Sequence, residues 1–136
     1  EWDPYLQGAS VTSTHADYDA EDLYWLSRII YAESGNQPLD GKIAVGNVVL
    51  NRVASPRFPN SVYEVIFQRN QFTPAANGSI NRTPSAESVV AAKLCLDGAN
   101  TAGSALYFVN PTVAPGSWAS RNRPYVATIG AHAFYG

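Results

Sequence analysis

The sequence has no methionine, one cysteine and two histidines among its 136 residues. A lone Cys95 excludes an intramolecular disulfide, and its place in Ala91-Ala92-Lys93-Leu94-Cys95-Leu96 suits a small buried apolar residue. Two scattered histidines without an HExxH pattern supply no recognisable zinc spacing, so no metal ligand and no cofactor is expected. Long apolar runs are missing as well. Gly46 and Asn47 interrupt the best of them, far short of the ~20 apolar residues a membrane span needs. Nine basic and eleven acidic residues, with no run of Lys and Arg, leave no electrostatic footprint for nucleic acid. A Ser-His-Asp hydrolase lacks its G-x-S-x-G elbow here, and no glycine-rich phosphate loop follows a strand. The chain opens at Glu1 with neither Met nor an apolar leader, so a processed chain or a piece of a longer precursor is expected.

What remains is a compact globular composition, 46% apolar and 15% charged. One domain of this length buries roughly two-thirds of its unfolded surface. Residues 1–18 show no period and read as a tail or linker, from which Trp2, Tyr5 and Leu6 can pack back; residues 19–136 form the single domain. Asp19 caps a helix expected from Ala20 to about Glu33, ending before Gly35. A second helix has Pro38 in its first turn and reaches about Val53; its apolar residues point nearly all round, the pattern of a buried central helix. Asn47 and Asn51 are its narrow polar stripe, suited with Arg52 to holding adjoining loops. Asn60-Ser61 caps a short helix through Phe67, Gln71 to Arg82 reads as a loop, and Thr83-Pro84 opens a helix ending before Gly98. Strands follow at Ala105–Val109 and Tyr125–Ile129, separated by a long loop bearing Pro, Gly and Trp. The fold class is α+β, mostly helical with a small C-terminal sheet.

Around the first helix Leu23, Trp25, Leu26, Ile29 and Ile30 share one arc, and Glu33 lands in its middle. A carboxylate there faces the protein body at a helix end whose dipole opposes it. It is either a structural Glu bending to solvent or pairing with an Arg, or a partly desolvated carboxyl kept protonated as a general acid. His15 lies in the tail, and His132 suits a satisfied structural role more readily than a catalytic one.

Tyr31-Ala32-Glu33-Ser34-Gly35-Asn36-Gln37-Pro38, followed by the Gly41–Val53 segment, resembles the cell-wall hydrolases typified by the spore cortex-lytic enzymes SleB and CwlJ. Phe58-Pro59-Asn60, Val65-Ile66-Phe67, Gln71-Phe72, Ala105–Phe108 and Asn110-Pro111 fall in that family's order. The resemblance implies a lysozyme-like α+β fold with a small antiparallel sheet. It implies an extracytoplasmic enzyme acting on peptidoglycan strands of N-acetylglucosamine and N-acetylmuramic acid, often those of spore cortex, with Glu33 in the catalytic position. Many relatives carry a second Glu four residues later, where this chain has Gln37. A two-carboxylate hydrolysis cannot use that position, and Asp40, the nearest other acid, suits a helix cap.

A lytic transglycosylase giving 1,6-anhydromuramic ends is the favoured expectation. A hydrolytic muramidase or glucosaminidase, and a non-catalytic glycan-binding domain, stay open beside it. Gln71, Asn110 and His132 are candidates for hydrogen bonds to sugar. Phe72, Tyr107 and Trp118 are candidates for stacking on pyranose faces, with core packing the alternative for the first two. Arg121 and Arg123 either meet substrate carboxylates or are simply solvated. A monomer is expected.

Overall fold

The computed structural model describes residues 19–136. The expected tail at 1–18, His15 included, lies outside the described residues. Helix α1 (Ala20–Ser34) starts where Asp19 Oδ1 accepts from the Glu21 backbone N–H at 2.9 Å. Helix α2 (Leu39–Ala54) is buried almost throughout from Gly41 to Val49, as the all-round apolar pattern requires. Pro38 sits at its N-cap and not inside its first turn, and the Asp40 side chain makes no capping bond. Asp40 instead offers its backbone carbonyl to the Thr101 hydroxyl at 2.8 Å. Helix α3 (Val62–Ile66) is capped by Ser61, and α5 (Ala86–Leu96) by Ser85, two residues later than the Thr83 start expected.

Helices α1, α2 and α5 form the body, with Leu26, Ile29, Ile30, Val45, Val48 and Ala91 inaccessible at its centre. They come together at Gly46. A Cβ there would lie 2.6 Å from Cys95 Sγ and 3.0 Å from Ile30 Cδ1, so the crossing needs a residue without one. Cys95 is buried as expected, and burial pushes its thiol up to about 12.

Three expectations need correction. The Gln71–Arg82 segment holds helix α4 (Thr73–Asn77) and a 3₁₀ turn (Ser79–Asn81), joined at Gly78 with φ +85°. The long loop after β1 (Tyr107–Val109) contains helix α6 (Trp118–Asn122), which Ser117 caps by accepting from the Ser120 N–H. The sheet has three strands, because His132–Tyr135 is β3, paired antiparallel to β1 and to β2 (Tyr125–Ile129) in the order β1-β3-β2. Ile129 pairs with His132 across a two-residue Gly130-Ala131 turn, with Gly130 at φ +59°. A central strand covered on both faces shows no alternation, which is why β3 escapes a period-two search.

The polar stripe on α2 positions this sheet. Asn47 Nδ2 donates to Ala99 O at 2.8 Å, while its Oδ1 accepts from the Thr101 and Ala102 backbone N–H groups. Asn51 Nδ2 donates to Gly103 O and Ala105 O, and Arg52 Nε to Leu106 O. Five bonds of the stripe's amides and one from Arg52 thus lead the chain from residue 99 into β1.

Candidate active site

Glu33 occupies the last turn of α1, half-buried, at the wall of a cavity of about 610 Å³. Tyr31, Asn36, Gln37, Arg82, Asn110 and His132 share the lining, drawn from α1, the loop after it, the segment before α5, the end of β1, and β3. Among the described residues of that lining, Glu33 is the one carboxylate. Burial alone raises its pKa above the ordinary glutamate value, and no hydrogen bond or ion pair to it occurs among the described residues. A carboxyl in that setting keeps its proton to higher pH than an ordinary glutamate.

The sequence around Glu33 fixes this geometry. Ser34 turns its hydroxyl back to Ile30 O at 2.7 Å and is fully buried. Gly35 N–H caps the helix on Tyr31 O at 2.9 Å, and a Cβ at Gly35 would meet that oxygen at 2.6 Å. The chain can therefore fold tightly against Tyr31 only with glycine there. The buried Lys42 ammonium donates to Gln37 O and to Glu87 at 2.7 Å, which holds the loop after Glu33 onto α2 and α5.

Gln37 has a fixed place as well. Its Oε1 accepts from the Ala131 N–H at 2.9 Å, and its Nε2 donates to Asn36 Oδ1. A Cβ at Gly130 would run into the same Oε1, so the β2–β3 turn is shaped around this amide. The Gln37 side chain thus braces the turn beside Glu33.

The sequence-derived candidates separate into groups. Asn110 and His132 join Glu33 at the cavity. Asn110 Oδ1 is used by the Thr112 and Val113 N–H groups, which leaves its Nδ2 as a donor. His132 Nδ1 is buried without a partner among the described residues, its ring lies 5.2 Å from Phe108, and burial lowers its pKa, which favours the neutral imidazole. Gln71, Tyr107 and Trp118 line a neighbouring cavity of about 520 Å³, which begins at Val109, the residue before Asn110. Trp118 is 55% exposed and meets the Tyr107 ring edge-on at 5.6 Å, an open aromatic wall of the kind that receives a sugar face. Gln71 was expected to offer an acceptor and a donor, but its Oε1 is taken by Arg52 at 3.0 Å. Phe72 takes its core-packing alternative and not the stacking role: at 6% exposure it belongs to the hydrophobic core, packed toward Phe108 and Arg52.

Sequence reasoning passed over Arg82 in the first cavity, and Arg52, which holds Leu106 O as its structural role requires, also lines the second. Arg82 comes from a segment 49 positions beyond Glu33 and no local pattern marks it. Of the outlying arginines, Arg121 donates to Gly116 O, whereas Arg123 donates to Gly136 O and lies 5.7 Å over the Tyr107 ring. No cluster of three or more His, Cys, Asp or Glu suited to a metal ion occurs among the described residues.

A family model described as cell wall hydrolase matches residues 36–135. The chain belongs to the cell wall hydrolase family. Glu33 lies three residues ahead of that match, but comparisons over longer stretches reach further. The spore cortex-lytic enzyme of Bacillus cereus is 37% identical over 131 residues, 96% of this chain and 49% of that protein. The spore cortex-lytic enzyme of Bacillus subtilis is 34% identical over 94% of this chain and 42% of its own length. The chain spans about half the length of the curated relatives it matches. Among solved structures, the catalytic domain of the germination-specific lytic transglycosylase SleB from Bacillus anthracis superposes with a TM-score of 0.81 at 38% identity, covering 88% of this chain and 98% of that one. The catalytic domain of the Bacillus cereus SleB protein gives 0.80, also at 38% identity, over 88% and 92%. The α+β class expected of this cell wall hydrolase, helical with a small C-terminal antiparallel sheet, is the one it has.

Proposed function

We propose that residues 19–136 form a single catalytic unit that cleaves peptidoglycan glycan strands outside the cytoplasm, acting as a monomer on the strands of spore cortex by lytic transglycosylation. The observation that carries this reading is Glu33, a carboxyl at the cavity wall whose pKa burial raises, and the one acid among the described residues of that lining. Hydrolysis by paired carboxylates needs a second acid across the scissile bond, and the described residues of this cavity supply none beside Glu33. The relatives named spore cortex-lytic enzymes, and a structural neighbour described as a germination-specific lytic transglycosylase, support the substrate and the reaction.

In the proposed step, protonated Glu33 donates to the glycosidic oxygen as the bond to C1 of muramic acid breaks. The sugar's own acetamido group stabilises the developing cation. Glu33, now ionised, takes the proton from the muramic C6 hydroxyl as that oxygen attacks C1. One group thus acts as acid and then as base, the product carries a 1,6-anhydro ring, and no water is consumed. The step as written uses no metal or cofactor. Asn110 Nδ2 and the neutral His132 face the same cavity as hydrogen-bonding groups, and Trp118 with Tyr107 receives a sugar further along the strand. Release of soluble muropeptides from purified cortex by the wild type, reduced roughly 10²- to 10⁴-fold in Glu33→Gln, is the expected result. Undiminished release by the variant would overturn the role of Glu33. Strand binding without release by either protein would make the chain a binding domain.

A further inference from the structure

Arg52 is 5% exposed and carries no carboxylate partner among the described residues. Its Nε donates to Leu106 O at 2.8 Å and its Nη1 to Gln71 Oε1 at 3.0 Å, both neutral acceptors. Nη2 has no acceptor among the described residues, yet it is not sealed from solvent as the buried unpaired atoms are. The guanidinium lies 4.7 Å from the Phe58 ring centroid, 5.4 Å from Phe72 and 5.3 Å from Tyr107. A second guanidinium, Arg123, also lies over Tyr107. Arg52 lines the cavity walled by Tyr107 and Trp118, and no Asp or Glu is among the described residues of that lining. Burying a cation without a counter-ion is costly, and aromatic faces with two neutral oxygens offset only part of the cost. Burial accordingly pushes Arg52 down to about 10.

We propose that this cavity is a carboxylate-binding subsite, in which the buried Arg52 guanidinium pairs with an acid group carried by the muramic residues of the strand. A guanidinium with Nη hydrogens free presents the planar fork that fits a carboxylate and discriminates it from a neutral amide. Val109 lines this cavity and Asn110, the next residue, lines the cavity of Glu33. The inference rests on the glycan-cleavage reading. Two sources present the same chemistry: the lactyl carboxylate of a muramic acid stripped of its peptide, and the carboxylates of an intact stem.

The test compares kcat/KM on four preparations: stripped strands and stem-bearing strands, each with carboxylates free or converted to methylamides. Amidation is expected to lower the rate at least tenfold in one pair. Loss in the stripped pair identifies the lactyl group, and loss in the stem-bearing pair identifies the stem. Gln71→Glu keeps an acceptor for Nη1 while supplying an internal counter-ion, so this variant is expected to lose the discrimination. Equal rates within both pairs, or discrimination that survives in a folded Gln71→Glu, would overturn the proposal. The second measurement follows the Arg52 Nε–H resonance in Glu33→Gln during addition of N-acetylmuramic acid or N-acetylglucosamine. A shift with the acid alone supports the subsite even if no strand is cleaved, which would sink only the cleavage reading. No shift with either sugar overturns the subsite independently of activity.

Discussion

Glu33 and His132 face one cavity with opposite responses to pH, and both responses follow from burial. The folded pKa of Glu33 is raised, so its contribution is most favourable below the ordinary value of 4.5 and is lost as pH rises through the folded value. Replacing it by Gln removes that loss. Thermal melts are expected to show Glu33→Gln more stable than wild type at pH 7, with the gap closing below pH 4.5. An equal or larger gap at low pH would contradict a burial-raised carboxyl. His132 has a lowered folded pKa, so its contribution is full above 6.5 and is lost as pH falls through the folded value. His132→Gln should therefore flatten the acid limb of the stability profile, read from the same melts. If Glu33 must enter the reaction protonated, cleavage falls as pH rises above its folded pKa, and a pH–rate profile without that alkaline decline would contradict the general-acid role.

Helices α1, α2 and α5 meet around Gly46, and the contact makes a definite prediction. Gly46→Ala gains helix propensity but drives a methyl into Cys95 and Ile30, so chemical denaturation should show a net loss of about 1–3 kcal/mol. Asn47→Ala removes an amide serving three backbone groups of the 99–102 segment and should lose roughly 2–3 kcal/mol. A neutral result for Asn47→Ala would mean that this stripe does not hold the sheet. Such elements also show what the sequence makes legible. The apolar arc of α1 and the all-round apolarity of α2 are periodic signals, and they place Glu33 and the buried centre correctly. Helices α4 and α6 have five residues each, little more than one turn, too short for any period to register. Strand β3 lacks alternation because it is central. Phe72 resolves to its core alternative only in the structure, because which side of a short segment turns inward is decided by tertiary packing, whereas Arg52, on the periodic α2, holds the adjoining chain as its place beside the polar stripe implies.

At the scale of the whole molecule, a helical body carries an acid at one helix end, and a small sheet pinned to the central helix closes the cavity around it. The arrangement brings residues from 31 to 132 together without any long-range sequence motif, so the family resemblance and the helical pattern around Glu33 are what mark the site in the sequence. It also separates the acid from the aromatic wall at Trp118. Trp118→Ala, at an exposed position, should leave the melting curve nearly unchanged while raising KM on long strands, consistent with the ~1 kcal/mol or more that an aromatic contact contributes. A fall in kcat with KM unchanged would contradict a binding role. Single-carboxylate glycan cleavage is tested most directly by the mass of the new chain ends released from purified cortex by wild type and by Glu33→Gln. Ends one water lighter than hydrolytic ends, absent with the variant, are the expected result. Reducing ends that carry an added water would contradict it.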